Sequence, residues 1–172
     1  MAQAFAISSL IRAYYFTKKE KYLDAAKRAT DFLQKDIKDS GVKKEFVLDD
    51  IEGFIYEEYP REHLSGVLNG YISVLLAIYE LSQVDKEYRL LFEENIENLK
   101  AILPLYDCGF WSYYSLDKNI ASGFYHRLVV NQLMVLSEFD QDFFNYYKKF
   151  KNYQDNKFFA LKAFVVKIRS KL

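Results

Sequence analysis

Cysteine is nearly absent from this chain. Cys108 is the only one, so no intrachain disulfide can form and no cysteine-based zinc site can be built. Histidine is almost as scarce. His63 and His126 stand 63 residues apart, which argues against a histidine metal cluster. Charge of one sign is missing too. Lys plus Arg and Asp plus Glu each total 24, for a formal net charge of zero. That excludes a nucleic-acid surface built on bulk charge. No apolar run approaches the length of a membrane span. Nothing at the N-terminus reads as a secretory signal, because Met1-Ala2-Gln3 leads straight into an amphipathic helix. The default expectation is a chain without a membrane span, cytoplasmic as it stands.

Aromatic residues, by contrast, are abundant. They make up 18% of the 172 residues, with 15 Phe and 15 Tyr. A buried tyrosine hydroxyl needs a partner, so this many tyrosines exceeds what core filling requires. Tyrosine-rich clefts suit sugars, which offer apolar ring faces and many hydroxyls. The alternative is compositional, since Lys, Tyr, Phe, Asn and Ile rise together in AT-rich coding sequence.

The length fits one domain, 1–172. Apolar spacing predicts about seven helices. The first runs Gln3 to Phe16, with Phe5, Ile7, Leu10, Ile11 and Tyr14 on its apolar face. Thr17 and Glu20 have the spacing of a capping box for a second helix to Leu33, with Tyr22, Leu23, Ala26, Ala29 and Phe32 inward. Residues 45–48 and 54–56 flank a polar stretch and predict a small hairpin or a long connection. A nearly apolar third helix spans 66–81. Asn69-Gly70 in its first turns is unusual, because Gly costs about 1 kcal/mol against Ala in a helix. Close approach of another group would explain it. Asp85 caps a fourth helix to Ile102, with Leu90, Leu91, Ile96 and Leu99 inward. A sixth helix, 141–153, and a seventh, 157–170, close the chain. Phe158, Leu161, Phe164, Val165 and Ile168 stripe the last. The expected fold class is all-α: antiparallel helix hairpins in a partial α/α toroid, with short β-like segments in the connections.

Two polar constellations stand out. One is Glu57-Glu58-Tyr59-Pro60-Arg61-Glu62-His63, just before a helix. The other is Leu103 to Leu133. Pro104 ends a helix there, and Asp107-Cys108-Gly109 marks a turn. Phe110 to Leu116 reads as a strand, and Ser122 can cap a fifth helix with Tyr125, His126 and Arg127 in its first turn. A solvated loop is the alternative for the first, and helix-start partners for the second.

Taken in order, these motifs resemble a known family. Ala6-Ile7-Ser8 with Leu10-Ile11-Arg12-Ala13-Tyr14, Tyr56-Glu57-Glu58-Tyr59-Pro60, Val67-Leu68-Asn69-Gly70, Leu103-Pro104-Leu105-Tyr106-Asp107 with Gly109, and Tyr125-His126 with Asn131-Gln132-Leu133 are similar to the C-terminal helical domain of the glucuronyl 5-epimerases. The resemblance implies an isomerase that converts glucuronate to iduronate in heparan-type polymers, with tyrosines as acid and base and no cofactor or metal. It identifies Tyr59, Tyr114 and Tyr125 as catalytic, with Glu58 beside Tyr59. Tyr113 rivals Tyr114, because on a strand the two point to opposite faces. Arg61, His126, Arg127, Asn69 and Tyr113 are the expected substrate-binding residues, with Arg61, His126 and Arg127 suited to the substrate carboxylate. The expected partner is a uronic-acid polysaccharide or oligosaccharide. A second copy or the β-rich domains that precede this one in family members are the expected protein partners. A non-catalytic carbohydrate-binding or scaffold domain is the alternative.

Overall fold

A computed structural model describes residues 1–60 and 63–170. Seven α-helices, three short 3-10 turns and one two-stranded sheet account for the regular structure of the described residues, so the fold is mostly helical as expected. The chain forms two compact units, Met1–His63 with Gly70–Ala101, and Leu64–Asn69 with Ile102–Leu172.

The first unit begins with α1 (Ala2–Thr17) and α2 (Glu20–Leu33), packed together as a helical hairpin. Lys18, at φ 54°, turns the chain between them. Thr17 does not cap α2. It closes α1 by donating its hydroxyl to the Ala13 carbonyl, and the cap position of α2 is Lys19, without a side-chain bond. The buried residues of α1 are Ala4, Ile7 and Ile11, while Phe5 is 59% exposed. On α2 they are Ala26, Thr30 and Leu33, and Phe32 lies at the surface. Both helices bury a stripe of small and branched residues, and the large aromatics fall outside it.

Strands β1 (Lys43–Leu48) and β2 (Ile51–Tyr56) form an antiparallel hairpin. Asp49 and Asp50 connect them with φ of 51° and 62°, the two positive values that a type I′ turn demands. The turn is therefore two residues, shorter than the polar stretch suggested. Asn98 of α4 (Arg89–Ile102) covers β2. It accepts from the Phe54 N–H at 2.9 Å and donates to the Phe54 carbonyl at 2.8 Å. A lone hairpin is marginal, and this amide pairs a strand edge that would otherwise stay open. The Tyr56 ring stacks on Tyr71, 5.5 Å between centroids, and burial pushes its phenol up to about 12. Helix α3 (Leu68–Ser82) supplies Tyr71, Ile72, Leu75, Ile78 and Leu81 to the core. Asp85 caps a short 3-10 turn, Lys86–Tyr88, that runs into α4, and Leu90 is exposed rather than inward.

The second unit holds α5 (Gly123–Leu136), α6 (Gln141–Asp155) and α7 (Lys157–Arg169). Each begins at a side-chain cap: Ser122, Asp140 and Asn156 accept backbone N–H groups of their first turns. Helices α5 and α6 pack around Leu133, Leu136, Phe143 and Phe150. The stripe on α7 faces outward. Phe158 is 70% exposed and Phe164 63%, with Leu161, Val165 and Ile168 also at the surface, and Ala163 alone is buried.

Candidate functional site

The second constellation is built on a folded loop rather than a strand. Pro104 lies in a 3-10 turn, Leu103–Tyr106, that ends α4. Asp107 accepts from the Gly109 N–H at 2.8 Å, and Gly109 takes φ 84°. Glycine reaches that conformation without a Cβ clash. Residues 112–116 make isolated bridges instead of a ladder. Their backbone groups are shared among several partners: the Tyr113 N–H donates to Tyr106, the Leu116 N–H to Ser65, and the Tyr114 carbonyl accepts from Leu68. No single neighbour runs alongside for long enough to make a strand.

This loop carries Tyr114 to α5. The Tyr114 and Tyr125 rings lie 4.8 Å apart at 57°, within the range of favourable aromatic pairs. Ser122 fixes the helix start by accepting from the Tyr125 N–H. Tyr113, one residue away, has a different environment. Burial, with Cys108 and Asp107 nearby, raises its phenol above the ordinary value. Its phenol therefore holds its proton more firmly than a solvated tyrosine does. Both tyrosines are half-buried.

His126 corrects an expectation. It was to bind substrate, but it is fully buried. Its ring stacks on Trp111 at 3.7 Å. Nε2 lies 3.0 Å from the Phe150 carbonyl, which can only accept, so Nε2 carries the hydrogen. Nδ1 is then the acceptor for the Ser112 hydroxyl at 2.7 Å, with the Ser112 N–H at 3.3 Å. Burial holds the imidazole at about 4, so it is neutral at pH 7. Its place next to Tyr125 puts it on the inner face of α5, where it ties the loop, α5 and α6 together. Arg127, the following residue, is exposed. Asn69 is buried, and its carbonyl accepts from Gln132 at 3.0 Å.

A network that sequence reasoning missed lies beside the loop. Asp107 pairs with Lys149 at 2.5 Å and accepts from the Tyr153 hydroxyl at 3.3 Å. That ion pair raises the Lys149 ammonium, and burial raises the Tyr153 phenol. Lys149 and Tyr153 sit at i and i+4 on α6, a signal available only once Asp107 is known to face that helix.

The other candidates belong to the first unit. Glu58 is mostly buried, its Oε1 3.7 Å from the Met1 amino group. Three side-chain atoms of Glu58 crowd Gly70, where an added Cβ would meet Oε1 at 2.7 Å. A carboxylate against the first turn of a helix is electrostatically favoured. Tyr59 is 64% exposed. Arg61 lies outside the described residues. The described residues contain no group of three or more His, Cys, Asp or Glu that could hold a metal, and no helix among them is long and apolar enough to cross a membrane.

Residues 1–155 match a family described as the D-glucuronyl C5-epimerase C-terminus. A Caenorhabditis elegans protein named D-glucuronyl C5-epimerase is 32% identical over 163 residues, covering 83% of this chain and 26% of that protein. An uncharacterized Methanocaldococcus jannaschii protein, MJ1128, is 28% identical over 155 residues, covering 88% of this chain and 50% of its own length. The chain thus spans a quarter to a half of these relatives.

Proposed function

The chain belongs to the D-glucuronyl C5-epimerase C-terminal family, and on that footing we propose that it takes part in epimerising a glucuronosyl residue at carbon 5 within a polysaccharide or its precursor. Inversion there removes a proton beside a carboxylate and returns one from the opposite face. Two groups are needed, one deprotonated to accept and one protonated to donate. No electron changes hands, and the charge that builds on the substrate carboxylate needs nearby donors or cations.

The observation that carries the reading is the Tyr114–Tyr125 pair at the start of α5, 4.8 Å between rings, in a chain matched to the family from residue 1 to 155. Tyr125 and Tyr114 are the proposed acid and base. Tyr59 and Glu58 enter by resemblance alone, as do Arg127 and Arg61 for the carboxylate. A free tyrosine titrates near 10, so the basic member must be tuned. The helix start contributes only about 0.3–1 kcal/mol, less than one pKa unit. A cation must supply the rest, and exposed Arg127 is the proposed source.

The test is proton exchange. The chain is incubated in deuterated water with unsulfated and N-sulfated glucuronate oligosaccharides, and the carbon-5 proton is followed by NMR. Deuterium uptake that vanishes in Tyr125→Phe supports the reading. Binding without exchange would turn it into a carbohydrate-binding domain, and neither binding nor exchange would sink both.

A further inference from the structure

We infer that Gly70 is a positioning residue, present so that the Glu58 carboxylate can occupy its seat against α3. The inference rests on the reading of Glu58 given above. Asn69-Gly70 lies in a helix, where Gly70 adopts no positive φ, so no backbone requirement explains the glycine. Alanine is the better helix former, and an idle glycine there only costs stability. The surroundings supply the reason. The three heavy atoms nearest a Cβ at this position all belong to Glu58: Oε1 at 2.7 Å, Cδ at 3.2 Å and Cγ at 3.3 Å. None of these three is a backbone atom. The absent methyl is thus matched to one side chain, and to its reactive end most closely.

Glu58 also borders a cavity of about 210 Å³, lined besides by Met1, Leu33, Val42, Tyr56 and Val74. A methyl group on residue 70 would push the carboxylate toward that space and leave the helix in place. Gly70→Ala therefore separates two things that usually change together. The fold keeps or gains stability, while the carboxylate leaves its position. Misplacing a catalytic group by about 1 Å can cost about 100-fold in rate.

The experiment compares wild type, Gly70→Ala and Glu58→Gln as full chains. Protein carrying glutamate labelled at the carboxyl carbon is examined by NMR, the Glu58 signal being assigned by its loss in Glu58→Gln. Thermal melting is followed by circular dichroism, and carbon-5 exchange gives kcat and KM. The expected result for Gly70→Ala is a displaced Glu58 signal, a melting midpoint equal to or above wild type, and kcat lower by about tenfold or more with KM little changed. A Glu58 signal that stays in place overturns the inference. So does a lowered melting midpoint, which would make Gly70 a packing residue. If wild type exchanges no deuterium, the epimerase reading falls, while the carboxyl signal still decides whether Gly70 seats Glu58.

Discussion

His126 offers a perturbation whose size follows from its surroundings. Folded, the imidazole is neutral and titrates at about 4, against 6.5 for a free histidine, because burial penalises the cation. Its two nitrogens already have fixed roles, Nε2 donating to Phe150 and Nδ1 accepting from Ser112. A second proton on Nδ1 would face the Ser112 N–H, donor against donor. As the pH falls below 6.5 the unfolded chain takes up this proton before the folded chain does. Stability therefore declines from about pH 6.5 to about pH 4 and levels below that. The gap of about 2.5 units corresponds to about 3 kcal/mol in total. Between pH 6.5 and 5, before most carboxylates titrate, about 2 kcal/mol should be lost. Trp111 is the only tryptophan and stacks on this ring, so its fluorescence reports unfolding of the right unit. Urea titrations at several pH values should show this loss in wild type and a much flatter profile in His126→Gln. Equal slopes in the two proteins, or an imidazole that titrates near 6.5 in the folded protein by NMR, would refute the reasoning.

Other outcomes are as definite. Tyr125→Phe and Tyr114→Phe should each abolish most carbon-5 exchange while leaving circular dichroism unchanged, and Tyr113→Phe should lower it least of the three. Asp107→Asn should cost about 1–2 kcal/mol in urea unfolding, because Lys149 and Tyr153 lose a charged acceptor. Asp50→Gly should stabilise the protein by up to about 1 kcal/mol, since Asp50 sits at φ 62° where glycine carries no Cβ penalty; an unchanged melting midpoint would count against a strained turn. Phe150→Ala, at a fully buried site, should cost about 3–5 kcal/mol, whereas Phe158→Ala on the outer face of α7 should stay within about 0.5 kcal/mol.

Local chemistry was legible without coordinates. Ser122 and Asp85 cap helical turns because a short side-chain oxygen can reach free N–H groups two or three residues on, whatever surrounds them. Pro104 ended a helix and Gly109 turned the loop for equally local reasons. The motifs that resemble the epimerase family lie within the matched residues 1–155. Thr17 misled because its hydroxyl, while donating to the Ala13 carbonyl of its own helix, accepts from the Lys19 N–H of the turn rather than from Glu20. What depends on distant neighbours stayed hidden. The stripe on α7 has the spacing of an inward face, yet periodicity says only that a face is apolar, not what covers it, and this one is exposed. His126 beside Tyr125 looked like a site residue, and packing against Trp111, Ser112 and Phe150 took it inside. Asn69-Gly70 announced a close approach, and only the folded chain identified Glu58 as the group that approaches. Hydrogen bonds within one turn are set by sequence, because their partners travel together on the chain. Burial, pKa and the meeting of Tyr114 with Tyr125 are set by tertiary structure, because they depend on residues that only folding brings near.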